Sequence, residues 1–482
     1  MMNNYNLTIL TDLYELTMIQ GYYFYKRNLE VVFDMFFRKN PFNGGYSVFA
    51  GLEPLIKTVL NLRFTEDEIN YLKKLNLFKS DFLKFIKNFK FSGDIYSVEE
   101  GEIIFPNEPI IKIKANMIEA QLIESILLNI INFQILIATK SARITESAKG
   151  KTILEFGLRR AQGIDGALSA TRASFIGGAD ATSNVLAAKI FNIPPKGTMA
   201  HSWVMAFKNE TEAFEKYTKL YPYNTILLVD TYNTLEKGIP AAIKSLKKLK
   251  RKGIKNFGIR LDSGDLEYLS KQARKMLDSA GLKEAKIVVS NELDEYIIEE
   301  LINKNSPIDF FGVGTNLVTA KGEPSLTGVY KLVAMKKNNK YVPIIKVSNT
   351  IEKISNPGVK NILRLYDENY MIGDLIFLEE ETNIIEKKIK NNLPLFFYHP
   401  EYEYKYLKIS NYKTHKILLK NIVKNGKLNY VFPSLKEIQQ KTKNNLKKLH
   451  PSYKRLLNPH IYKVSITKKL MDLKKTLIKK YM

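Results

Sequence analysis

Between residues 225 and 318 the chain repeats one unit, a short apolar strand that ends in polar residues and then an amphipathic helix. No other feature constrains the fold as strongly. The pattern predicts strands at 225–229, 256–261, 285–289 and 308–313, with helices at 241–250, 267–279 and 293–304 between them. Strands separated by helices of this length pair in parallel, because parallel neighbours need a crossover connection. Parallel strands bring their carboxyl ends to one face, where α/β barrels and open sheets bind ligands. The four ends read Asp230-Thr231-Tyr232-Asn233, Asp262-Ser263-Gly264-Asp265, Ser290-Asn291-Glu292 and Gly314-Thr315-Asn316. A single polar strand end marks only the start of a loop; four in succession, two carrying Asp, point to an active site.

Two flanking stretches add to that face. A predicted helix at 119–147 leads into a strand at 152–156 and then Gly157-Leu158-Arg159-Arg160. Adjacent arginines suit bidentate recognition of carboxylate or phosphate, although one of them could instead pair with Glu155 or another structural acid. After Pro194-Pro195 comes Lys196-Gly197-Thr198-Met199-Ala200-His201-Ser202, which puts His201 where a strand-end residue is expected; a structural histidine is an equal reading. Residues 6–115 mix helices (6–25, 52–60, 66–75, 81–89) with strands (31–38, 46–51, 91–95, 102–104, 109–115). Beyond 318, antiparallel strands at 331–336, 340–347, 361–366 and 375–378 are expected to complete the sheet of that first region. The expected division is an N-terminal α+β sandwich part at 1–118, a barrel-like catalytic domain at 119–330, strands completing the sandwich at 331–400, and a basic, mostly helical segment at 401–482.

Composition narrows the function. The 482 residues carry a net charge of +25, but residues 401–482 hold 21 Lys and Arg against 4 Asp and Glu, which leaves only +8 for the rest. The tail lysines alternate with Leu and Ile at helical spacing, the pattern of a solvated face rather than of a nucleic-acid patch. No apolar run approaches the ~18 residues of a membrane span; the longest candidate, 122–138, is interrupted by Glu124, Asn129, Asn132 and Gln134. Residues 1–5 precede no signal-peptide core, so the expected location is cytoplasmic. The chain has no cysteine, and its five histidines show no metal-site spacing.

Five motifs carry a resemblance. Thr11-Asp12-Leu13-Tyr14, Phe156-Gly157-Leu158-Arg159-Arg160, Gly197-Thr198-Met199-Ala200-His201-Ser202, Gly258-Ile259-Arg260-Leu261-Asp262-Ser263-Gly264-Asp265 and Gly312-Val313-Gly314-Thr315 occur in the order found in nicotinate phosphoribosyltransferases, and the chain resembles that family. Asn458-Pro459-His460-Ile461-Tyr462 is similar to the family's tail. The resemblance implies an incomplete α/β barrel of the type II phosphoribosyltransferase kind inserted in an α+β sandwich domain, followed here by a Lys-rich helical tail. It implies synthesis of nicotinate mononucleotide and pyrophosphate from nicotinate and phosphoribosyl pyrophosphate, coupled to ATP and magnesium, in a homodimer without nucleic-acid or membrane partners. It assigns Tyr14, from the partner subunit, to the pyridine ring, and Thr198 and Arg260 to nicotinate, with Arg159 and Arg160 nearby. Asp262, Gly312, Gly314 and Thr315 would bind phosphoribosyl pyrophosphate, and Asp262 its magnesium. Asp12, Ser202, Asp230 and Asn291 would line the pocket, and His201 would be phosphorylated by ATP. A relative using nicotinamide or quinolinate is the nearest alternative, and a nucleic-acid-binding protein working through its basic tail is the alternative from another class.

Overall fold

The computed structural model describes residues 6–348, 350, 354–402 and 404–481, so the first five residues lie outside it. The chain forms two compact units: the described residues up to Leu136 with those from Ser325 onward, and Ile137–Pro324. The long helix expected at 119–147 is two helices, Met117–Leu122 and Glu124–Ser147, interrupted at Ile123. The line between the units falls inside the second of them rather than at residue 119. That helix is apolar and long enough to cross a membrane, yet 67% of its most apolar window is buried inside the protein.

The first unit contains two large sheets where the sequence suggested one. A seven-stranded sheet is centred on Glu30–Phe37, which pairs antiparallel with Ile111–Asn116 on one side and Gly328–Lys337 on the other. The strands Lys360–Tyr366 and Met371–Leu378 do not join it but build a separate six-stranded sheet. The segment beyond residue 400 was expected to be mostly helix, and here the structure corrects the sequence reading. It supplies strands to both sheets: Lys420–Lys424 borders Asp94–Ser97 in the first, and Val464–Ile466 lies between Met371–Leu378 and Leu395–Tyr398 in the second. The helix Lys468–Tyr481 then closes the chain.

In the segment beyond residue 400, lysines such as Lys447, Lys448, Lys479 and Lys480 stand exposed, as a solvated face requires, while three others are tied into the fold. Lys441 pairs with Glu99 and Glu102, both at 3.0 Å, Lys420 with Glu99 at 3.0 Å, and Lys416 with Glu102. Burial alone would raise the Glu99 carboxyl, but these ammonium groups hold it down at about 2. Tyr462 stacks on Phe105 at 3.7 Å and donates to Asp374, itself paired with Arg364 in the buried core. The tail motif is therefore a staple of the second sheet.

The second unit is a parallel sheet whose strands are β1 (Thr152–Glu155), β2 (Ala181–Thr182), β3 (Thr225–Leu228), β4 (Phe257–Leu261), β5 (Lys286–Asn291) and β6 (Phe310–Val313), in the order β2-β1-β6-β5-β4-β3. Every neighbouring pair is parallel. The sheet curls into an incomplete barrel, with helices Ile239–Arg251, Leu266–Ser279 and Glu295–Asn303 as the crossovers. Ile259, Leu261, Val289, Phe311 and Val313 are wholly buried, as strands covered by such helices require. Asp265, the last residue of the Asp-Ser-Gly-Asp stretch, accepts from Tyr268 N–H at 2.9 Å and caps Leu266–Ser279. Gly264 before it has φ +77°, a turn that disfavours a side chain.

In the first unit, helix Leu13–Tyr25 begins at Asp12 and presents Tyr14 half exposed. Beside it Glu15 is fully buried and accepts hydrogen bonds from Thr11 and from Ser125 Oγ at 2.9 Å. Burial pushes the Glu15 carboxyl up to about 7, with Glu124 and Asp12 adding to the shift, and burial together with the same acids raises Tyr14 to about 12. The folded state thus holds the Glu15 proton more tightly than the unfolded chain. Its contribution to stability is complete below pH 4.5 and is lost as pH rises through about 7, on the order of 2–3 kcal/mol in all. Glu15→Gln removes this term. The variant is expected to gain roughly 2–4 °C in Tm over the wild type at pH 8 and little or nothing at pH 4.5; thermal melts across that range check it, and an equal offset at both pH values would contradict the assignment.

Candidate active site

Side chains alternate along a strand, so the parallel register places Arg260, Asp262, Ser290, Gly312 and Phe156 on one face of the sheet. Arg260 pairs with Val288, two residues before Ser290; Ser290 pairs with Gly312, and Gly312 with Leu154, two residues before Phe156. A Cβ on Gly312 would lie 2.6 Å from the Phe156 ring, so only glycine lets that ring settle over β6. There it lies 5.7 Å from the Arg260 guanidinium and backs it.

Arg260 is held on three sides. Nε donates to Ser290 Oγ at 2.7 Å, Nη1 to Thr198 Oγ1 at 2.9 Å and Nη2 to Asp262 Oδ1 at 2.7 Å. Ser290 Oγ in turn donates to the same Oδ1 of Asp262. Asp230, at the end of β3, binds the next strand end: its Oδ2 accepts from Asp262 N–H and from Ser263 Oγ, both at 2.7 Å. The other oxygen of Asp230 is buried without a hydrogen-bond partner.

His201 opens the short helix His201–Met205 and remains 40% exposed. Its Nδ1 lies 3.2 Å from Thr231 Oγ1, and its Nε2 lies 3.8 Å from Asp262 Oδ2, the carboxylate oxygen that Arg260 and Ser290 leave open. Two residues on, Trp203 anchors this helix: its indole N–H donates to Ala213 O at 3.1 Å and its rings pack against Phe207 and Tyr217.

Thr198, His201, Asp230, Arg260 and Asp262 thus form one connected cluster. Ser202 follows His201 on the exposed side of its helix. Arg159 and Arg160 lie exposed in the turn Leu158–Arg160 after β1 and make no ion pair among the described residues. Neither pairs with Glu155, the structural alternative raised by the sequence. That carboxylate is buried and accepts instead from Gly157 N–H, Thr171 Oγ1 at 3.0 Å and Thr182 Oγ1. Gly314 precedes and Thr315 opens the short helix Thr315–Val318 after β6. Asn291 ends β5 with φ +116°, a conformation side chains rarely adopt. Asp12 and Tyr14 fold with the first unit. The sequence did not single out Thr231, Phe156 or Ser290 for the roles they take here; Thr231 and Ser290 were marked only by position next to a strand end, and Phe156 also by its place in a family motif. Among the described residues, no three His, Cys, Asp or Glu side chains gather as a ready-made metal cluster.

Comparison with known proteins agrees along the whole chain. Three family models match: the nicotinate phosphoribosyltransferase N-terminal domain at residues 9–132, the nicotinate phosphoribosyltransferase family at 152–392 and its C-terminal domain at 359–474. The chain is 42% identical to a nicotinate phosphoribosyltransferase of Bacillus subtilis, covering 96% of this chain and 93% of that protein. It is 36% identical to one from Dictyostelium discoideum, covering 98% and 88%. A crystal structure of human nicotinic acid phosphoribosyltransferase superposes with a TM-score of 0.83 at 27% identity, over 98% of this chain and 100% of that one.

Two glycines separate a required backbone site from a permissive one. Gly312→Ala must displace Phe156 and with it the backing of Arg260, at an expected cost of about 1–3 kcal/mol and most of the activity. Gly166, in helix Gly163–Gly177, has nothing within 4 Å of a built Cβ, so Gly166→Ala should leave stability unchanged or raise it by about 0.5–1 kcal/mol. Denaturant melts of both variants check the contrast, which equal effects would refute.

Proposed function

The chain belongs to the nicotinate phosphoribosyltransferase family, and we propose that its reaction runs on the Arg260–Ser290–Asp262 network at the strand ends of the second unit. The protein is an enzyme of pyridine nucleotide and NAD biosynthesis that joins nicotinate to the ribosyl phosphate of phosphoribosyl pyrophosphate and releases pyrophosphate. The observation that carries the assignment of roles is the hydrogen-bond set of Arg260.

Three of its nitrogens are engaged by protein, which leaves an Nη2 N–H to meet an incoming anion. Charge-assisted bonds of this type contribute about 1.5–3 kcal/mol each. Arg159 and Arg160, exposed and without ion-pair partners among the described residues, supply further donors for the nicotinate carboxylate or the substrate phosphates. As the bond from C1 of the ribose to pyrophosphate breaks, positive charge grows on the sugar, and the open Oδ2 of Asp262 stabilises it directly or through the ribose hydroxyls. Gly314 and Thr315 line the turn after β6 for the phosphates, with Gly312 in the strand before it, while Asn291, Ser202 and Asp230 border the pocket.

Magnesium fits this site as an ion shared with substrate rather than caged by protein. The buried, unpartnered Oδ1 of Asp230 and the open Oδ2 of Asp262 would supply carboxylate ligands, and magnesium commonly takes one or two of these together with phosphates. Bound there, it would offset the negative charge of the leaving pyrophosphate. Dimerisation is part of the same reading: Tyr14, half exposed, would reach the pyridine ring of a partner's site. The absence of cysteine suits a cytoplasmic enzyme.

His201 fits the coupling to ATP. Its ring is open to solvent, Thr231 fixes Nδ1, and Asp262 faces Nε2. Attack by a ring nitrogen on the γ-phosphorus forms the P–N bond as the P–O bond to ADP breaks, and water later hydrolyses the phosphohistidine.

Incubation with phosphoribosyl pyrophosphate, ATP, magnesium and either nicotinate or nicotinamide is expected to give mononucleotide from nicotinate; product from nicotinamide alone would overturn the substrate assignment. With labelled ATP the wild type should form an acid-labile, base-stable adduct that His201→Asn lacks. That variant should lose ATPase activity and keep slow, ATP-independent synthesis; full ATP-stimulated synthesis would return His201 to a structural role. Tyr14→Ala and His201→Ala, each nearly inactive alone, are expected to regain about one intact site per dimer when subunits are exchanged. No recovery after proven exchange would place Tyr14 outside the partner's site.

A further inference from the structure

Ser290 is 3% exposed, sits between Arg260 and Asp262, and touches both. Its hydroxyl has one proton to give. Arg260 can only donate and an ionised Asp262 can only accept, so the direction of both bonds is fixed. Ser290 Oγ takes the Nε–H of Arg260 and commits its own proton to Asp262 Oδ1. That leaves the serine no proton for substrate chemistry, and it acts through its two neighbours.

The consequence lies in what stays free. With Oδ1 of Asp262 taken by Ser290 and by Nη2 of Arg260, the carboxylate cannot swing, and Oδ2 alone faces His201 and the open pocket. With Nε occupied, the guanidinium is locked in plane, with Nη1 on Thr198 and one Nη2 N–H on Asp262, which leaves the second Nη2 N–H uncommitted. Gly312 opposite keeps the site narrow: a built Cβ there would come 3.3 Å from Ser290 Cβ. Removing the hydroxyl would strand a nearly buried Nε–H and release the carboxylate to rotate.

We propose that Ser290 is the positioning residue of this site: it fixes the Arg260 fork and selects Oδ2 as the working oxygen of Asp262. The inference rests on the phosphoribosyltransferase reading, and its test keeps the two apart. Nicotinate mononucleotide synthesis by the wild type is measured first; failure there sinks the reading itself. Given an active wild type, Ser290→Ala at unchanged Tm is expected to lower kcat/KM for nicotinate by about 10- to 100-fold, with the larger part in kcat, since Asp262 acts on charge that develops only in the transition state. Ser290→Thr, which keeps the hydroxyl, should retain activity within about five-fold of wild type.

The deciding measurement is a double-mutant cycle with Arg260→Lys, which has no Nε–H for the serine to hold. In that background Ser290→Ala should cost several-fold less than in the wild type, because one of the two partners it acts through is gone while Asp262 remains. Should Ser290→Ala fail to fold, Ser290→Cys, similar in size but a weak donor and acceptor, takes its place with the same expectations. The proposal is overturned if the variant stays within two-fold of wild type, or if its loss is the same in both backgrounds.

Discussion

Parallel strand pairing is the constraint on which the rest of this protein depends. A parallel neighbour can be reached only by a crossover, so each helix returns the chain to the same edge and every strand ends on the same face. The hydrogen-bond register then determines which side chains meet. Arg260, Ser290, Gly312 and Phe156 come from three strands and one loop, far apart in sequence, and become neighbours because the strands are aligned residue for residue. The first residues of each strand can be almost purely apolar because they carry no chemistry; the polar work falls to the last residues of a strand, such as Arg260 and Ser290, and to the two or three that follow.

The first unit meets a different physical problem, that of charge removed from water. Arg364 and Asp374 are both fully buried and form a close pair, with the Phe105 ring beside the guanidinium and the Tyr462 hydroxyl on the carboxylate. Glu99 and Glu102 are matched by lysines from the C-terminal segment. Breaking such a pair by removing one partner leaves an uncompensated buried charge, and the effect reaches several kcal/mol, of order 3–5. Part of the excess charge of the tail, at Lys416, Lys420 and Lys441, is therefore local neutralisation of acids contributed by the rest of the same unit.

How far the sequence could be read follows from which information is local. Five of the six strands of the second unit were legible to within two or three residues because short apolar runs and Gly or Asp stops are local signals; β2, only two residues long and followed at once by a helix, read as the start of that helix. The cluster of His201, Asp230, Arg260 and Asp262 was foreseeable from strand ends and from family motifs. Ser290 was seen only as a strand-end residue, because its function exists only once β4, β5 and β6 are in register. The C-terminal strands were misread for a related reason. In Lys420–Lys424 two lysines flank an Asn-Ile-Val core, a pattern that resembles the edge of a basic helix until Asp94–Ser97 is placed beside it. The second sheet was missed because sequence separation does not reveal which strand will find which partner.

Trp203 has a consequence of another kind. It is the only tryptophan in the chain, and it fixes the helix that begins with His201. Indole emission excited at the red edge therefore comes from one location, two residues from a candidate phosphoryl acceptor, and no probe need be attached. The protein carries its own optical gauge of that helix, so nucleotide binding there can be timed by stopped-flow mixing, separately from the turnover that follows.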